Sequence, residues 1–157
     1  MFLRHRELDG MTGHEAGRML LAEIYREVTC ADLPPMEKGP HGKPCFVDSP
    51  WHFSITHTKN HAFCALSEHP IGIDAEEMGR KIKLELAEKI LSPNEKLRYD
   101  AVADKTAALL KLWVLKEASA KLSGKGIYGY PKDTDFSPDD PRVQILHGCY
   151  VAVLEEK

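Results

Sequence analysis

The run "DKTAALLKLWVLKEASAKLSGKG", beginning at Asp104, constrains this chain more than any other. It is rich in strong helix formers, has no proline, and meets its first glycines at Gly124 and Gly126, where a helix would stop. Apolar residues fall on nearly every side of it, and a helix of that kind has to be enclosed. The rest of the chain must therefore supply a sheet to pack beneath it and further helices to cover it.

The remaining pattern can do so. Residues 13–28 place Ala16, Met19, Leu20, Ile24 and Val28 at helical spacing with charges opposite. A loop rich in Pro and Gly follows and ends in Gly42-Lys43-Pro44. Three strands succeed it. Phe53, Ile55 and His57 alternate with Ser54, Thr56 and Thr58; "AFCALS" comes after a Lys59-Asn60 turn; Ile71 to Glu76 puts Ile71 and Ile73 on one face and Asp74 and Glu76 on the other. A helix is expected over "KIKLELAEKIL". Another opens at Ser92-Pro93-Asn94-Glu95, a capping box with Pro at the first helical position. "RVQILHG" and "CYVAVLE" close the chain as two strands about a His147-Gly148 turn. The fold class is α+β, helices packed on a mainly antiparallel sheet. A helix followed by strands occurs twice, which permits two pseudo-equivalent lobes meeting near residue 70.

With 157 residues, 43% hydrophobic and 29% charged, the chain can bury a real core. No window is apolar enough to span a membrane, and "MFLRHRELDG" carries charges where a signal peptide needs apolar residues, so a cytoplasmic protein is expected. Cys30, Cys45, Cys64 and Cys149 form no CxxC pair and read as buried free thiols. "HEAGR" lacks the second histidine of a zinc-protease helix. A net charge of −3 gives no general attraction to nucleic acid, so an anionic ligand must be met by local basic groups or a metal.

Asp74 and Glu76 project from the same side of their strand about 7 Å apart, and such hard oxygen donors suit Mg²⁺ or Mn²⁺. Trp113, Glu117 and Lys121 recur every four residues on one face of the long helix, either as a simple Glu–Lys surface pair or as a third carboxylate with a phosphate-neutralising lysine. Lys43 and His57 carry no strong signal singly.

Taken in order, "GKP" (42–44), "FSITHT" (53–58), "GIDAE" (72–76), "LSPNE" (91–95) and "WVLKEASAK" (113–121) resemble the surfactin-synthetase type of 4′-phosphopantetheinyl transferase. The resemblance implies that fold, with two lobes, residues 1–70 and 71–157, the first abbreviated. It implies Asp74, Glu76 and Glu117 as metal ligands. Lys121 is then a coenzyme A pyrophosphate contact, with Lys43, Thr56 and His57 near the other phosphates. Asp74, Glu117 and Lys121 form the catalytic group, with Glu117 or a water on the metal as base. The implied reaction is Mg²⁺-dependent transfer of the phosphopantetheine arm from coenzyme A to a serine of an acyl or peptidyl carrier protein, releasing 3′,5′-ADP. The alternative is an idle relative that binds coenzyme A or a carrier without transfer. Thr56 stands where serine is usual. Arg4, Arg6 and Arg18 are the candidates for the adenosine 3′-phosphate, and Lys116 and Lys125 for contacts with an acidic carrier. Oligomeric state is left open.

Overall fold

A computed structural model describes residues 1–39, 41–125 and 133–156. Three strands, β1 (Phe2–Glu7), β4 (His52–His57) and β5 (His61–Ser67), form an antiparallel sheet in the order β1-β5-β4. Helix α1 (Gly13–Thr29) covers one face of it. The chain's second sheet has the order β6-β8-β7, from β6 (Ile71–Glu77), β7 (Val143–Leu146) and β8 (Cys149–Glu155). Its cover is α4 (Lys105–Ser123), itself flanked by α2 (Leu86–Ile90) and α3 (Pro93–Ala101). The hairpin β2 (Met36–Lys38) and β3 (Pro44–Phe46) stands apart. Both three-stranded sheets have one connectivity: strand, helical segment, strand, strand, with the last strand in the middle.

The layers run α1, first sheet, second sheet, α4, and strand periodicity explains why. Along β5, Ala62, Cys64 and Leu66 pack with Leu20, Leu21 and Ile24 of α1, whereas Phe63 and Ala65 turn the other way onto Ile71, Ile73, Ala75 and Val151. On β8, Tyr150, Ala152 and Leu154 meet Leu109, Leu112 and Leu115 of α4. That helix is apolar nearly all round because the sheet takes one side and Ala87, Ile90 and Tyr99 of the short helices take another. Gly72 decides how close it lies: a Cβ there would stand 2.0 Å from the Ala118 carbonyl oxygen and 2.5 Å from the Leu122 nitrogen, both helix backbone.

The expected capping box of α3 is present, Ser92 accepting from the Glu95 N–H and Glu95 from the Ser92 N–H. Helix α4 ends at Gly124 in the left-handed region, φ +67°; Gly126 lies outside the described residues. Three expectations need correction. The helix over "KIKLELAEKIL" is confined to Leu86–Ile90, because the residues before it close three-residue turns instead, Leu86 N–H to the Lys83 carbonyl and Ala87 N–H to the Leu84 carbonyl, each at 3.0 Å. Strand β1 and the β2–β3 hairpin fall where no strand was expected. Of the four free thiols, Cys64 and Cys149 are buried, but Cys45 is half-exposed and Cys30, at the left-handed end of α1, is exposed. Among the described residues no helix is long and apolar enough to cross a membrane.

Candidate active site

Because Gly72 lets α4 settle onto β6, Glu117 and Lys121 come down beside Asp74, about forty residues away along the chain. The Lys121 ammonium donates to Asp74 Oδ1 at 2.8 Å, and the Thr56 hydroxyl donates to the same oxygen at 2.9 Å. Asp74 is 7% exposed and Glu117 8%. Burial raises the Glu117 pKa above the ordinary carboxylate value, the Asp74 charge raises it further, and Lys121 and Arg80 oppose the shift. Two nearly buried carboxylates thus face each other at a cost only partly offset by cations. Glu76 lies nearby on β6 with its carboxylate paired to Arg80. Among the described residues, no set of three His, Cys, Asp or Glu side chains is arranged to hold one ion.

A cavity of about 660 Å³ opens against this group. Its walls come from α1 (His14, Arg18), the Gly42-Lys43-Pro44 loop, β4 (Phe53, Ser54, Ile55, His57) and α4 (Glu117, Ala120, Lys121). Arg18, Lys43 and Lys121, with the imidazoles of His14, His41 and His57, line it against the Glu117 carboxylate, the Lys121 charge being shared with Asp74 behind it, so the wall is basic in an acidic chain. Lys43 donates to the Ile71 carbonyl oxygen at 2.9 Å, and its half-burial lowers its pKa. His57 rests on the first turn of α1, where a Cβ at Gly13 would lie 2.2 Å from the ring.

The expected residues are therefore sorted. Lys43, His57, Glu117 and Lys121 reach the cavity, and Asp74 and Thr56 stand behind Lys121. Of the three arginines only Arg18 lines it; Arg4 and Arg6 are paired with Glu27 and Glu23 on the outside of α1. Lys116 is not a surface contact for a carrier. It is 2% exposed and ion-paired with fully buried Glu95 at 2.7 Å, and Glu95 also accepts from the N–H groups of Ser92 and Phe136. Lys125 is exposed. Sequence reasoning set His14 aside with the zinc-protease pattern and gave it no place in the site, although its position one turn before Arg18 on the same helix was a usable signal.

Two similar antiparallel sheets, each covered by a helix, with an acidic group and a basic-lined cavity at their seam, define an α+β protein. The family model of the 4′-phosphopantetheinyl transferase superfamily matches residues 70–152, and the chain belongs to that superfamily. It is 39% identical over 93 residues to the 4′-phosphopantetheinyl transferase gsp of Aneurinibacillus migulanus, which covers 58% of this chain and 38% of that protein. Against the transferase Sfp of Bacillus subtilis it is 38% identical over 92 residues, 55% and 40% of the two chains. A putative 4′-phosphopantetheinyl transferase of Synechocystis matches at 37% over 130 residues, 76% and 50%. The chain thus spans half or less of the length of these relatives.

Proposed function

We propose that the chain transfers the 4′-phosphopantetheine arm of coenzyme A to a serine of an apo acyl or peptidyl carrier protein, releasing 3′,5′-ADP, in the cytoplasm where that donor is found. The observation that carries this reading is the cavity in which Arg18, Lys43, His57 and Lys121 surround the space that Glu117 borders. Coenzyme A presents a diphosphate and a separate 3′-phosphate, and the recess offers cations at several points along its wall. Arg18 and His14, on the α1 side, are suited to the 3′-phosphate; Lys43, His57 and Lys121 to the diphosphate.

The donor chemistry also suits a divalent ion: hard oxygens on two mutually repelling, nearly buried carboxylates, with no hydrogen bond to Glu117 among the described residues. Asp74 and Glu117 would hold Mg²⁺ or Mn²⁺, with Glu76 the candidate third ligand. When bound, the ion would neutralise diphosphate charge. The carrier's serine oxygen attacks the β-phosphorus in line while Glu117, on the cavity wall, takes the hydroxyl proton. The bond from that phosphorus to the bridging oxygen breaks, and its electron pair leaves with 3′,5′-ADP. Lys121 and Lys43 offset the charge that develops there. Lys125 is a candidate contact for an acidic carrier.

Purified chain is incubated with Mg²⁺, coenzyme A and apo carrier proteins of the fatty-acid, polyketide and nonribosomal-peptide kinds, and each carrier is weighed by mass spectrometry. A gain of one phosphopantetheine arm is expected, slowed at least about 100-fold by Asp74→Ala or Glu117→Ala. If no carrier gains mass while coenzyme A still binds, transfer is not the function.

A further inference from the structure

Thr56 belongs to a motif whose hydroxyl was expected near a phosphate, yet Ser54, Ile55 and His57 line the cavity and Thr56 does not. It is 6% exposed and its hydroxyl is spent on Asp74 Oδ1. The neighbouring hydroxyls on and just beyond β4 do similar work. Ser54 Oγ accepts from the Ile73 N–H at 3.1 Å, and Thr58 Oγ1 donates to Glu77 Oε1 at 3.1 Å. Strand β6 is an edge of its sheet, with β8 on one side only. Ser54 thus satisfies an edge N–H of β6, while Thr56 and, just past the end of β4, Thr58 donate to carboxylates carried by β6.

We infer that Thr56 is a positioning residue, whose hydroxyl fixes the Asp74 carboxylate across the seam between the two sheets. Lys121 and Thr56 both donate to Oδ1, one from α4 and one from β4. Two donors on one oxygen set the plane of the carboxylate and leave Oδ2 without a hydrogen bond among the described residues. The period of two along β4 then divides labour between successive residues: His57 faces α1 and the cavity, while Thr56 faces the acid. This inference rests on the functional reading above for the meaning of Asp74, though not for its position.

The test compares Thr56→Val, which keeps the shape and loses the donor, with Thr56→Ser, which keeps the donor. Three properties are measured: the crystal structure, Mn²⁺ affinity from the electron paramagnetic resonance signal of free ion, and calorimetric binding of coenzyme A in EDTA. The valine variant should show the Asp74 carboxylate turned away from its wild-type plane and Mn²⁺ binding weakened about tenfold. Metal-free coenzyme A binding should stay within about twofold, and the serine variant should match wild type in all three. Asp74 unmoved with Mn²⁺ affinity intact, or metal-free coenzyme A binding weakened as much as Mn²⁺ binding, overturns the inference. Thr56→Ala replaces the valine variant if that does not fold. If wild type takes up neither Mn²⁺ nor coenzyme A, the functional reading fails, and the place of Asp74 in the variant crystals alone decides the role of Thr56.

Discussion

Adding a single methyl group at Gly72 should disable the site from beneath. The new Cβ would stand 2.0 Å from the Ala118 carbonyl oxygen, 2.5 Å from the Leu122 nitrogen and 3.0 Å from the Leu122 Cα. All three are backbone atoms of a buried helix, so no side chain can swing aside. Bringing the closest contact out to 3.0 Å requires α4 to retreat by about 1 Å. Ala118 lies between Glu117 and Lys121, so both retreat with it, and the 2.8 Å bond from Lys121 to Asp74 stretches past hydrogen-bonding range. Overpacking of this kind costs about 1–3 kcal/mol, a fall in Tm of roughly 2–12 °C for a chain of this size. A displacement of about 1 Å at the reacting groups costs on the order of 100-fold in rate. Gly72→Ala should therefore show both effects, in thermal denaturation and in the carrier mass assay. Gly79→Ala, where an added Cβ meets nothing within 4 Å, should show neither. A Gly72→Ala protein that melts within about 1 °C of wild type and transfers within about threefold of its rate would refute the claim that backbone proximity at Gly72 assembles the site.

The raised pKa of Glu117, caused first by burial and then by Asp74, means that the folded state binds this proton more tightly than the unfolded state. Its contribution to stability accordingly falls as pH rises from the ordinary 4.5 through the raised value, so in EDTA Glu117→Gln should melt above wild type at pH 7.5, with the gain disappearing below pH 4.5; a pH-independent difference would refute this. Lys116→Met leaves the Glu95 charge buried without its ammonium and should cost about 3–5 kcal/mol in urea denaturation. Part of that loss should return when Glu95→Gln is added, and a single-variant loss below about 1 kcal/mol would contradict the pairing. Arg18→Ala should weaken coenzyme A binding roughly 10- to 100-fold with little change in Tm, whereas Arg4→Ala, whose guanidinium is engaged with Glu27, should bind as wild type does.

Local rules reached much of this molecule. The period of two in β4, the capping box of α3 and the apolar girth of α4 are each written within a few consecutive residues. Strand β1 escaped because it is an edge strand whose Arg4 and Arg6 reach over to Glu27 and Glu23 of α1; its charges read as solvated chain until that helix is in place. Lys116 and Glu117 show the same limit within the site. They are adjacent in sequence, and helical geometry turns them about 100° apart. One is thereby delivered to Glu95 of α3 and the other to Asp74 of β6. The spacing of Trp113, Glu117 and Lys121 established a shared face, but which neighbour that face would meet depended on an absence, the missing Cβ of Gly72. A motif in the sequence can therefore name the groups of this site, while the distances among them depend on how closely two backbones approach.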